Sequence, residues 1–324
     1  MSVVDVHTHF IPAFALTEGA QGDGMLGVHA DDGWLVHPQG FRYPVQPEYN
    51  DPAAKLAKMD EMGIDVSALS ISPTLFFYES PAAAAVEFAR RSNDALAEMV
   101  ADQPRLRGLA HLPLQSPEAA AEELRRCVGE LGFPGAQIGT SYADGKPLDG
   151  AELEPVFEVA DAHEALMMLH PYYVGPKPGL EDFYLTNSLG NPIDTTVAAA
   201  RLIHSGCLDQ WKRLPIVLVH AGGFLPFQLG RLDHAFSVRP EPQASLERSP
   251  SEYFDRFWMD TITHGDEQLA FLSSFAGTDR IVLGTDLPFD MGDPVPLERV
   301  RRAGVDEHAI GATAARLLGL EDQL

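Results

Sequence analysis

Eight short runs of apolar, often β-branched residues recur along the chain, and a helical pattern follows each of them. The predicted strands fall at 2–6, 66–71, 106–110, 135–138, 166–169, 216–219, 257–259 and 281–284. Continuous Val/Ile/Leu-rich runs are what a parallel strand buried on both faces needs. The helical patterns open on start signals: Asp51 before Pro52, Ser80 before Pro81, and Ser116 before Pro117-Glu118. Further helices are predicted over 152–163, 192–205, 222–235 and 266–275, with two more from 296 and 306. Strand-helix alternation of this kind predicts parallel βαβ units and an α/β fold, the closed (β/α)8 TIM barrel. A doubly wound open sheet is the rival, but no GxGxxG follows the first strand.

A barrel of this kind accounts for all 324 residues as a single domain, 1–324. The exception to the alternation is an inserted loop region after strand one, residues 10–50, rich in Gly, Pro, Asp and aromatics. A loop this long in a compact domain is usually functional or disordered.

The formal net charge is -24, from 23 basic and 47 acidic residues. That balance argues against nucleic acid or an anionic membrane as partner. An anionic substrate would need local Arg to overcome the field. Cys127 and Cys207 are the only cysteines and have no CxxC spacing, so neither a disulfide framework nor a Cys-rich zinc site is expected. The N-terminal stretch has no basic segment followed by an apolar run, and no apolar stretch has the length of a membrane span, so the cytoplasm is the expected compartment.

Active-site residues of such barrels lie at the C-terminal ends of the strands. That rule sorts the histidines. His163, His204, His234 and His308 fall in predicted helices, and His29 and His37 in the first long loop. His111 and His264 follow strands three and seven and are candidates to line the cavity. His7 and His9 follow strand one, His170 strand five, His220 strand six and Asp286 strand eight. In an extended segment His7 and His9 point to one side. Any one of these alone reads as a satisfied core polar group. Five of them ending apolar strands at one face are harder to explain by packing, since each costs roughly 1–3 kcal/mol if buried without a partner. A shared divalent metal satisfies them together.

A mixed His/Asp set suits Zn²⁺, with Mn²⁺ or Fe²⁺ also compatible. A bound metal brings the pKa of water down to about 7. His220, followed by Ala221-Gly222-Gly223, is a further ligand or the general base. The base is the preferred reading, because His7, His9, His170 and Asp286 already supply a ligand set.

The His-Thr-His of strand one, His170-Pro171, His220-Ala221-Gly222-Gly223 and Gly284-Thr285-Asp286 resemble the amidohydrolase superfamily. Residues 130–140, 227–240 and 284–289 narrow the resemblance to its aminocarboxymuconate-semialdehyde decarboxylase family, over essentially the whole chain. The resemblance implies one zinc ion on His7, His9, His170 and Asp286, with His220 activating the metal-bound water. It implies substrate-carboxylate arginines at Arg42 and Arg231, the latter reaching across from a second subunit of a homodimer. Tyr172 and Phe289 are the expected substrate-binding aromatics.

The implied reaction is non-oxidative loss of CO₂ from an unsaturated or aromatic carboxylate. Strand four ends Gln137-Ile138-Gly139-Thr140, without the Lys or Glu that bridges two metals elsewhere in the superfamily, which favours one metal. Departures at Tyr172, Leu287, His111 and 45–50 bear on the pocket walls and so on the substrate. Two alternatives stay open: a metal-dependent hydrolase opening a cyclic ester or amide, and a metal-binding barrel without catalysis.

Overall fold

The computed structural model describes residues 2–17, 25–38, 42–172 and 177–321. The strands are β1 (Val4–Phe10), β2 (Val66–Ile71), β3 (Leu106–Gly108 and Ala110–His111) and β4 (Gly135–Gly139). They continue as β5 (Leu166–His170), β6 (Ile216–Leu218), β7 (Phe257–Asp260) and β8 (Ile281–Val282). Each pairs in parallel with the next. The ladder changes partner around Leu109: the first piece of β3 bonds β2 and the second bonds β4. Parallel bridges at Asp5–Leu283 and Thr8–Leu287 bring the chain beyond β8 back to β1. There the Val6 N–H donates to Leu283 O at 2.9 Å and the His9 N–H to Leu287 O at 2.8 Å. This is the strand order of a (β/α)8 barrel.

The intervening helices are α1 (Pro52–Met62), α2 (Ala82–Val100), α3 (Pro117–Gly129), α4 (Glu154–His163) and α5 (Asn191–His204). They are followed by α6 (Leu225–Val238), α7 (Asp266–Ala276), α8 (Pro296–Arg302) and α9 (Glu307–Leu317). The start and stop signals act as expected at α1. The Asp51 carboxylate accepts from the Ala53 N–H at 2.8 Å, and Gly63 ends the helix in the left-handed region at φ 72. Among the described residues no helix is long and apolar enough to cross a membrane. Both cysteines are buried and free.

Three features differ from the sequence expectation. Residues 10–50 are not uniformly irregular, because His29–Asp31, Trp34–Val36 and Arg42–Pro44 form an antiparallel sheet. Its first turn is Asp32-Gly33, both at positive φ (44 and 80), the backbone a two-residue hairpin requires. Helix α6 begins at Leu225 rather than Gly222, because 220–223 all lie at positive φ and form a tight turn.

The third difference is in β1, which runs through His7 and His9 to Phe10 rather than ending at Val6. Its register against β2 shifts between Asp5 and Thr8. Val4 and Val6 share one buried cluster with Val66, Leu166, Met168 and Val217. Asp5 and Thr8, by contrast, line a small void beside Lys55 of α1, whose Nζ donates to Thr8 Oγ1 at 3.0 Å and to His9 O at 3.1 Å. An irregularity of this kind changes which residues share a face, and here it leaves His7 and His9 pointing into one site.

Candidate metal centre

Four strands deliver the site. His7 and His9 come from β1, His170 is the last residue of β5, and His220 and Asp286 lie just beyond β6 and β8. His7 Nε2 faces His9 Nε2 at 3.1 Å. Asp286 Oδ1 lies 2.9 Å from His9 Nε2 and 3.5 Å from His7 Nε2. Asp286 Oδ2 lies 3.5 Å from His220 Nε2. The His170 ring centroid is 5.0 Å from those of His7 and His220 and 5.2 Å from that of His9. One donor atom from each of His7, His170, His220 and Asp286 lies within 4.8 Å of the others. By that measure alone His220 is a ligand and His9 is outside; the short contacts of His9 bring it into the same cluster.

The outward-facing ring nitrogens set His220 apart from the other three histidines. His7 Nδ1 donates to Asp260 Oδ2 at 2.7 Å, and His170 Nδ1 to Pro171 O at 2.5 Å. Ser70 Oγ gives its proton to Gln137 Oε1 at 2.6 Å, so it accepts from His9 Nδ1 at 3.3 Å. Gln137 Nε2 is itself fixed on Ile71 O at 2.8 Å. With each Nδ1 carrying the proton, each Nε2 presents a lone pair, and orienting partners of this type are what metal-ligating histidines have. His170 Nε2 is buried and has no hydrogen-bond partner among the described residues. Three converging imidazole lone pairs and a carboxylate fit a divalent cation. His220 Nδ1 has no hydrogen-bond partner among the described residues, which sets it apart from the other three.

Electrostatics divide the three histidines differently. Burial lowers His9 to about 4 and His170 well below the usual imidazole range, so both stay neutral. Burial would also depress His7, but the Asp260 bond and the nearby carboxylates of Asp286 and Asp5 hold it above its ordinary value. Burial would raise Asp286, but the imidazoles of His220 and His9 beside it keep its carboxyl well below the carboxylate range. His220 and Asp286 also take left-handed backbone, at φ 54 and 57. Conformations that non-glycine residues avoid cluster at functional sites. Gly223 lets the His220 turn pass, because a Cβ there would lie 2.3 Å from Pro192 O.

His170, His220 and Asp286 of the cluster line the floor of a cavity of ≈ 1120 Å³. Arg42, Tyr172 and Phe289 all line it, as does His264. The Arg42 guanidinium lies 5.0 Å from the Trp34 ring centroid at the exposed edge of the antiparallel sheet. The Phe289 ring is 5.2 Å from His9 and 5.3 Å from Tyr43. Tyr172 packs edge-on to Tyr78 at 5.2 Å. Arg231 is exposed on α6, and among the described residues it is not part of this chain's cavity wall. His111 does not reach the cavity either: it is buried, stacked 5.8 Å from Phe76. Asp260, Ser70 and Gln137 went unrecognised as orienting groups. The strand-end position that singles out Asp286 holds for Asp260 also, at the end of β7.

Residues 4–320 match the family described as Amidohydrolase, and the chain belongs to that family. Within it, the chain stands with the decarboxylases. It is 32% identical to 2-amino-3-carboxymuconate-6-semialdehyde decarboxylase of Dictyostelium discoideum, over 98% of this chain and 92% of that one. It is 37% identical to gamma-resorcylate decarboxylase of Polaromonas sp. (strain JS666), over 72% and 75% of the two chains. A solved dihydroxybenzoic acid decarboxylase from Polaromonas sp. JS666 has the same fold (TM-score 0.78, 29% identity, 99% and 98% covered). That relative carries manganese and the inhibitor 2-nitroresorcinol.

Proposed function

We propose that this chain removes CO₂, without oxidation, from an unsaturated or aromatic carboxylate such as 2-amino-3-carboxymuconate 6-semialdehyde. The observation that carries this reading is the cluster itself: the three Nε2 lone pairs of His7, His9 and His170 and the Asp286 carboxylate converge beside His220 under an aromatic-lined cavity. These four residues would hold the cation, with zinc the proposed ion. When bound, it supplies Lewis acidity, lowering the pKa of water to about 7 and polarising a substrate oxygen.

The chain's own residues do the rest. Arg42 holds a substrate carboxylate at the cavity edge, where a guanidinium makes two parallel charge-assisted bonds. Phe289 and Tyr172 flank the substrate and keep water from the reacting carbon. His220, anchored by Asp286 Oδ2 at 3.5 Å, holds at its Nε2 the proton that passes to the carbon bearing the leaving carboxylate. The carbon–carboxylate bond then breaks, its electron pair refills the unsaturated system, and CO₂ departs.

A single chain brings one arginine to the cavity wall among the described residues, against Glu181, Asp286 and Asp290. We propose that Arg231 of the neighbouring subunit of a homodimer supplies the second. In support, α6 and α7 expose an aromatic face beside Arg231: Phe227 is 78% exposed, Phe271 45% and Phe275 47%. Apolar surface of this kind is typical of protein interfaces.

The test is CO₂ release from candidate carboxylates, with and without chelator. Chelator-sensitive CO₂ release is the expected result. Product without CO₂ would replace the decarboxylase with a hydrolase.

A further inference from the structure

We propose that Asp260 is a positioning residue that couples one metal ligand to the turn presenting the base. The inference rests on the metal-centre reading above and adds to it a link between two of its parts. Asp260 ends β7 with no exposed surface. One carboxylate oxygen, Oδ2, accepts from His7 Nδ1 at 2.7 Å. The other, Oδ1, accepts from the Ala221 N–H at 2.8 Å and the Ile262 N–H at 3.1 Å. Ala221 directly follows His220, and both hold left-handed backbone, φ 58 and 54, which residues other than glycine avoid. One side chain thus fixes the tautomer of His7 and pins the strained turn that aims His220.

Gly284 supports the same picture from the next strand. A Cβ there would lie 2.8 Å from Asp260 Cβ and 3.1 Å from His7 Cβ. Only a residue without a side chain leaves room for this pair.

The two oxygens give the two roles separable tests. In Asp260→Asn the amide oxygen stays with the Ala221 and Ile262 N–H groups, because those donors need an acceptor. The amide nitrogen then faces His7 Nδ1 and donates to it. The imidazole proton moves to Nε2, where the lone pair is needed. Asp260→Ala frees the Ala221 N–H instead and leaves His7 able to take either tautomer.

The experiment measures Zn²⁺ affinity, the ¹⁵N signature of the His7 tautomer in metal-free protein, and kcat at saturating Zn²⁺. Wild type, Asp260→Asn and Asp260→Ala are compared, with thermal melts alongside. Asp260→Asn is expected to weaken Zn²⁺ binding about 10- to 100-fold, more than Asp260→Ala does, and to show the proton on Nε2. Asp260→Ala is expected to lose more kcat at saturating metal than Asp260→Asn. Unchanged Zn²⁺ affinity and an Nδ1 proton in Asp260→Asn overturn the proposal even if Asp260→Ala does not fold. A wild-type chain that binds no Zn²⁺ would instead bring down the metal-centre reading itself.

Discussion

His7, His9, His170 and Asp286 sit on or just beyond parallel strands, with 0–5% of their surface exposed. Arg42, Trp34 and Arg231, a few residues further out, are exposed and sit on a small antiparallel sheet and on a helix surface. On the floor of the cavity, the outer nitrogens of His7, His9 and His170 are each tied to an acceptor. At the rim, the Arg42 guanidinium lies over the exposed Trp34 ring, 5.0 Å from its centroid. The contrast suggests that the reaction is built into the barrel, while the choice of substrate is left to segments that can change without disturbing it.

Asp286 offers the sharpest test of the floor. Asp286→Ala removes a ligand and the partner of both His9 and His220, so elemental analysis should find the ion lost and turnover abolished. His220→Ala should keep the ion and lower kcat by about 10²- to 10⁴-fold, the usual worth of a positioned acid-base group. Loss of the ion together with activity would move His220 into the ligand set.

Rim substitutions should leave the ion in place and act on KM. Arg42→Ala is expected to lower kcat/KM by roughly 10- to 100-fold, from the loss of charge-assisted bonds of about 1.5–3 kcal/mol. Mixing Arg42→Ala with Arg231→Ala protein should restore part of the activity, because one site of the mixed dimer regains both arginines. Failure to complement would place both arginines in the same chain's site. The smallest effect is expected at His264, exposed on the cavity wall with φ 54. His264→Ala should change relative rates among carboxylates by less than about tenfold, as loss of a single neutral hydrogen bond would. A large loss of metal there would erase the distinction between floor and rim.

The same contrast separates what the sequence disclosed from what it concealed. His170 and Asp286 were legible because an apolar strand that ends in a polar residue is unusual. His7 and His9 were legible because residues two apart share a face. The irregularity that puts both on the correct face was not legible, since it appears only when β1 is set against β2, with Lys55 of α1 bonding Thr8 Oγ1 and His9 O. Asp260 lay at a strand end like Asp286, but a single Asp gives no sign that it faces a histidine 253 positions away. The antiparallel sheet within 10–50 carried a local signal, the Asp32-Gly33 turn, masked by the surrounding Gly and Pro. Of the aromatic rim, Tyr172 and Phe289 were reached through the family resemblance, whereas Trp34 and Phe224 were not, because these rings come from segments far apart in the sequence.

The most direct test is the metal content of the chain, purified without added metal and then titrated with Zn²⁺ or Mn²⁺, beside His170→Ala. One divalent ion per wild-type chain, with little or none in the variant, is the expected result. A wild-type chain that takes up no ion, or a His170→Ala variant that binds it as well as wild type, would contradict the site described here.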